Sequence, residues 1–159
     1  MTTIDHWVSQ LNLEPHVEGG YYRQVYKADD DFNDQRKLYT SIYFLLTADN
    51  PSRFHRLTAD EIWYFHAGQA LTVHMIAPDG TYTTPQLGHD LAAGQVLQYC
   101  VPKGTIFGST VEEPGGFALV SCMVAPGFEY EDFELFDRAD LLTAYPDHAA
   151  IITRLTKGD

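Results

Sequence analysis

The sequence predicts an all-β domain with short N- and C-terminal helices, and three observations carry that prediction. Apolar runs of strand length recur between residues 21 and 125, separated by turn chemistry such as Asp49-Asn50-Pro51, Pro78-Asp79-Gly80 and Glu113-Pro114-Gly115-Gly116. Aromatic residues make up 13% of the chain, as expected for half-buried strands. Helical periodicity is confined to the two ends. The 159 residues suffice for one well-buried core but not for two ordinary domains, so residues 1–159 read as a single domain.

In chain order, Ile4, Trp7, Val8 and Leu11 recur on one face of a helix, with Thr2 or Thr3 as its N-cap. Pro15 and Gly19-Gly20 end that element. Strands follow at 21–27, 38–46, 53–57, 61–67, 71–77, 94–101 and 117–125. Residues 28–36 are acidic and polar and read as an exposed loop. The acidic-aromatic run 128–135 reads as structural, its aromatics packed and its acids solvated. Residues 138–144 and 148–156 read as short helices on either side of Tyr145-Pro146. Strands of this number and spacing suit a sandwich or a jelly-roll barrel, and periodicity does not choose between them.

Charge narrows the partners. A net charge of −12 repels a phosphate backbone, and the ten basic residues are scattered, so nucleic acid is not expected. No stretch approaches the roughly 18 apolar residues of a membrane span, and Met1-Thr2-Thr3-Ile4-Asp5 lacks the features of a secretory signal. The reading is a soluble cytoplasmic protein. Cys100 and Cys122 lie in apolar runs and read as buried free thiols.

Several chemistries lack their residues. Ser109 and Ser121 have no Gly-x-Ser-x-Gly frame, and the glycine pairs precede no phosphate-binding motif. His66 and His74, on flanking strands, read as a surface pair across a hairpin. What stands out is His55, six residues before Glu61, with Gly68 seven residues further on. Strand alternation puts Leu57 on the face of His55, and Trp63 and Phe65 on the face of Glu61. Arg53 shares strand parity with His55; it, Arg23 and Arg56 are guanidinium groups suited to an anionic ligand. Gln98 supplies both donor and acceptor in an apolar strand.

The His55–Glu61–Gly68 spacing resembles the first motif of the cupin superfamily, in which two histidines and a glutamate precede a turn glycine. Leu57 occupies the position of the second histidine. Gly94, Pro102 and Gly104 resemble the second motif, with Phe107 where its metal-binding histidine belongs. Further blocks resemble the cupin-5 family, whose members have no settled function: 16–23, 40–46, 54–56 with 60–63, Gln98 with 101–104, and 125–135. The resemblance implies a cupin-type jelly-roll (double-stranded β-helix) barrel, a homodimer, and a pocket into which His55 and Glu61 point.

With two of four usual ligands apolar, the reading is metal-free, with no cofactor; His55 and Glu61 with a third donor such as Gln98 would hold a metal only weakly. The expected function is small-molecule binding, as an epimerase or isomerase of a sugar- or nucleotide-linked ligand. His55 and Glu61 are the expected acid–base pair, Arg23 or Arg53 the anchor for an anionic group, and Trp63 a stacking platform. Tyr43 and Tyr99 are candidates for a second acid. The alternatives are a non-catalytic metabolite-binding module and, third, a metal-dependent cupin enzyme.

Overall fold

The computed structural model describes residues 3–158. In chain order its elements are α1 (Thr3–Gln10), β1 (Glu14–Pro15), β2 (Tyr21–Lys27), β3 (Thr40–Thr47), β4 (Ser52–Arg56), β5 (Asp60–Gly68), β6 (Leu71–Ile76), β7 (Tyr82–Thr83) and β8 (Gln86–Leu87). They continue with β9 (Gln98–Val101), β10 (Ile106–Val111), β11 (Phe117–Ala125), β12 (Glu134–Leu135), α2 (Arg138–Ala144) and α3 (Ala149–Arg154). One sheet has the order β1-β2-β3-β11-β5-β9 and the other β12-β4-β10-β6-β7, with β8 also on β6. Every pairing between these strands is antiparallel. Successive strands β3, β4, β5 and β6 alternate between the sheets, as do β9 to β12. That winding is a jelly roll, the barrel the sequence resemblance implies.

The main core lies between the sheets, where Phe44, Trp63, Val73, Phe107 and Val120 meet. The second sheet is covered on its outer face too. Leu141, Ile152 and Leu155 from the C-terminal helices pack on Phe54, Ile76 and Ile106, so every residue of β6 and β10 is buried. Full burial of a leucine-sized side chain contributes about 1.5–3 kcal/mol, so this seam fastens the C-terminus firmly. Arg138 adds a polar clasp, Nη2 donating to the carbonyls of Thr153 and Thr156 at 2.7 Å each. On the first sheet, α1 and the turn after it lay Ile4, Trp7, Val8 and Leu11 over Leu45 and Leu119, the face the periodicity predicts.

The sequence reading omits β10. Its Gly108-Ser109-Thr110 breaks the apolar run, yet both faces are covered, so it carries neither alternation nor continuous hydrophobicity. The predicted strand at 94–101 shortens to β9, because Leu91–Ala93 forms a 3-10 turn closed by Gly94 in the left-handed region. Thr2 lies outside the described residues, and Thr3 is already helical. Both cysteines are free as expected, but Cys100 is exposed, because it pairs with Ile62, which points away from the face of Glu61 and Trp63. Among the described residues no helix is long and apolar enough to cross a membrane.

Candidate functional site

A cavity of about 400 Å³ opens between the sheets. His55, Leu57, Glu61 and Cys122 line it, and Glu18, His16 and Tyr22 join them from the segment before and within β2. Phe128, Tyr130 and Phe133 line it from the 127–135 segment. The size falls in the usual range for small-molecule sites.

Two backbone devices bring Glu18 to His55. Gly19 has φ +114°, and a Cβ there would lie 1.9 Å from the Pro51 carbonyl oxygen, so only glycine lets this turn seat against β4. Arg53 N–H then donates to the Glu18 carbonyl at 2.8 Å. The second device is a bulge, where the β4–β10 register shifts between Phe107 and Ser109. A Cβ at Gly108 would lie 2.7 Å from the Ser52 carbonyl oxygen. Bulges re-aim side chains, and here Ser52 and His55 both reach Glu18 despite opposite strand parity.

The result is a buried polar chain. Ser52 Oγ donates to Glu18 Oε1 at 3.0 Å, and Glu18 Oε2 lies 3.1 Å from His55 Nε2. His55 Nδ1 lies 2.7 Å from the Arg53 carbonyl oxygen, which only accepts, so Nδ1 carries the proton. Nε2 is the nitrogen that faces Glu18, and in the neutral ring it turns its lone pair there. The two residues are only 6% and 2% exposed. Burial, reinforced by nearby Glu61, pushes the Glu18 carboxyl well above its ordinary value despite the Ser52 bond. Burial likewise pushes His55 down to about 3. Both shifts favour a neutral carboxyl donating to a neutral imidazole over an ion pair.

Glu61 is the second carboxyl, 8% exposed. Burial raises it to about 7, against the opposing pull of the Trp63 indole and the Cys122 thiol. The Trp63 Nε1–H makes no aligned hydrogen bond; it acts on Glu61 by proximity. Burial, then the neighbouring Glu61 and Glu18 carboxyls, push the Cys122 thiol well up, which leaves it a poor nucleophile. His16 accepts from the Glu18 N–H through Nδ1 at 3.1 Å, and burial lowers it to about 4. Its ring packs edge-on against Tyr22, 4.6 Å between centroids. Burial and a hydrogen bond with Tyr130 hold the Tyr22 phenol at about 12, fully protonated.

The segment carrying Phe128, Tyr130 and Phe133 is pinned from outside. Glu129 pairs with Lys27 at 3.2 Å, Glu134 with Arg56 at 2.6 Å, and Asp132 with Arg36. Its aromatics thus form a cavity wall, and these acids are ion-paired rather than simply solvated.

The family Cupin_5, described as "Cupin superfamily (DUF985)", matches residues 5–136. The chain belongs to this cupin family. Protein SO0799 of Shewanella oneidensis is 53% identical, with full coverage of both chains and a TM-score of 0.96. A hypothetical protein of Leishmania major is 40% identical over 99% of this chain and 100% of its own, with a TM-score of 0.93. The uncharacterized yeast protein YML079W (Saccharomyces cerevisiae) is 28% identical, covering 89% of this chain and 79% of its own. Oxalate decarboxylase of Bacillus subtilis shares the fold alone: 14% identity over 91% of this chain and 37% of the decarboxylase, with a TM-score of 0.60.

In this cupin His55 and Glu61 both line the cavity, but the carboxyl bonded to His55 is Glu18, which is not among the site residues expected from the sequence. Arg23 lines the cavity from the exposed side of β2. Arg53 does not line it; the bulge breaks the parity it shares with His55, and its Nη1 sits against Gly19. Trp63 is completely buried, edge-on to Phe44 and Phe107, so it offers no face for stacking. Gln98 is exposed, because it pairs with Tyr64, which points away from the face of Glu61 and Trp63. Tyr43 and Tyr99 stand outside the cavity, whereas Tyr22 and Tyr130 line it. His66 and His74 do not meet: they lie in different sheets, His66 bonded to Ser121 and His74 to Tyr82 and Thr110.

The metal pattern of other cupins does not fit this donor set. Leu57 and Phe107 carry no donor, the Phe107 ring lies 4.1 Å from the His55 ring, and both His55 nitrogens are engaged. Among the described residues no group of three or more His, Cys, Asp and Glu side chains is arranged to hold a metal ion.

Proposed function

We propose that this cupin binds a small polar metabolite in the Glu18–His55–Glu61 cavity and transfers protons on it, as an isomerase or epimerase does. One observation carries the reading: two buried carboxyls and a tautomer-fixed histidine share a ligand-sized cavity, and their proton affinities are pushed apart. Glu61, near half-ionised at neutral pH, is the group suited to accept a proton from a ligand carbon. His55, with both nitrogens engaged, is a positioning residue that keeps the Glu18 proton in place. Glu18 and Tyr22, both held protonated, are the candidate donors, Glu18 by giving up the proton it shares with His55. This assignment moves proton abstraction from His55 to Glu61.

The test is solvent deuterium incorporation followed by proton NMR, with sugar- and nucleotide-linked metabolites offered first. Exchange at one ligand carbon, lost in Glu61→Gln and Glu18→Gln, supports an enzyme. Tight binding with no exchange in any ligand makes the cavity a binding module instead.

A further inference from the structure

Glu61 is a buried carboxyl facing a cavity, yet no basic side chain pairs with it among the described residues. Its nearest donors, the Trp63 indole and the Cys122 thiol, are neutral, and the indole N–H is buried without an aligned partner. Glu18 differs, being committed to Ser52 and His55. The cations nearest the aromatic wall, Lys27, Arg36 and Arg56, are spent on its outer side. Of the lysines and arginines among the described residues, only Arg23 lines the cavity, and it is exposed to solvent, as is Glu14, so its charge is screened. At the exposed rim Glu14 and Arg23 offset one another, and Glu18 is bonded within the protein, so Glu61 is the one buried carboxyl of the cavity whose counter-charge the protein leaves to be supplied.

We infer that the ligand of this cavity carries an organic ammonium group, held between the Glu61 carboxylate and the aromatic wall of Tyr22, Tyr130 and Phe133. The inference rests on the reading of the cavity as a ligand site and adds the ligand's charge. A buried carboxylate is costly without a counter-charge, and a diffuse ammonium provides one while gaining from aromatic faces. A small divalent ion suits the site poorly, since it needs several oxygen or nitrogen donors and gains nothing from phenyl rings. An anion meets the carboxyls at close range. The sequence-based expectation of an anionic ligand, drawn from Arg23 and Arg53, gives way because neither guanidinium reaches the buried part of the cavity.

Three probes of one shape test the charge: choline, the neutral alcohol in which carbon replaces its quaternary nitrogen, and the anion tert-butylacetate. Calorimetry on the full chain measures affinity, and the Trp63 indole N–H signal in a proton–nitrogen correlation spectrum locates binding beside Glu61. Choline is expected to move that signal and to bind at least about tenfold more tightly than the alcohol, with the anion weakest. Glu61→Gln is expected to bring the choline-to-alcohol ratio near one. Should that variant fold poorly, the ratio in the parent chain still decides. Equal binding of choline and alcohol that moves the Trp63 signal overturns the ammonium inference and leaves the cavity as a ligand site. A Trp63 signal unmoved by all three probes overturns the inference, while ligand exchange seen with other metabolites would still uphold the site.

Discussion

Glu18 Oε2 lies 3.1 Å from His55 Nε2, and the two residues come from segments that only the jelly-roll winding brings together. Glu18→Gln keeps the shape, and its amide still donates to the imidazole, so the variant is expected to melt near the parent while ligand proton exchange is lost. Glu18→Ala leaves Ser52 and His55 buried with unpaired polar atoms, at a cost of about 1–3 kcal/mol for each. Urea unfolding of both variants measures the difference.

Stability is expected to peak on the mildly acidic side of neutrality. Burial holds Glu61 at about 7 and Glu18 well up, so the folded chain keeps protons that the unfolded chain releases above about 4.5. Stability is therefore lost as pH rises from there through 7, on the order of 3 kcal/mol for Glu61. His55 at about 3 and His16 at about 4 act oppositely: below about 6.5 the unfolded chain takes up protons that the folded chain refuses. Their stabilisation is complete above 6.5 and lost as pH falls. The opposing slopes meet near about pH 5 to 6. Glu61→Gln should melt higher than the parent at about pH 8 and level with it at about pH 5. Calorimetric melting across pH measures both.

The turn before β2 is expected to be intolerant of any side chain. Gly19→Ala forces a Cβ towards the Pro51 carbonyl at a φ of +114°. The strain costs at least about 1–3 kcal/mol and pushes Glu18 out of line. Loss of the Glu18–His55 bond along with a lower melting temperature checks this, since a merely local strain would leave that bond intact.

The aromatic wall is held unevenly. Arg36 pairs with Asp132, donates to the Gly127 carbonyl at 2.9 Å and to Thr58 Oγ1 at 2.9 Å, and is only 10% exposed along its side chain. Lys27 and Glu129 form one exposed pair. Arg36→Ala is expected to speed amide hydrogen exchange across 127–135 and weaken ligand binding, whereas Lys27→Ala changes either by less than about twofold.

The sequence carried the barrel and half of the site. Apolar runs, turn residues and the spacing of His55, Glu61 and Gly68 are local signals that locate most of the longer strands and place His55 and Glu61 in the cavity, while Arg23, singled out for its charge, lines it too. Glu18 was out of reach because its bond to His55 depends on how the Gly19-Gly20 turn seats against β4, a long-range contact. The resemblance blocks held Glu18-Gly19-Gly20 and Phe128 to Phe133 without revealing that they meet. Arg53 and Gln98 were misplaced for separate reasons. A bulge breaks the alternation that joined Arg53 to His55, and β9 pairs in a register that turns Gln98 outward. Strand β10 was missed because a strand buried on both faces through Gly108-Ser109-Thr110 shows no periodicity at all.

At the heart of the site, a neutral His55 imidazole accepts a hydrogen bond from a neutral Glu18. Nitrogen NMR of the His55 ring at neutral pH measures it most directly. The expected result is a protonated Nδ1 and an unprotonated, hydrogen-bonded Nε2, unchanged until the chain unfolds in acid. A ring with protons on both nitrogens at neutral pH would instead make Glu18 and His55 an ion pair and overturn the neutral assignment.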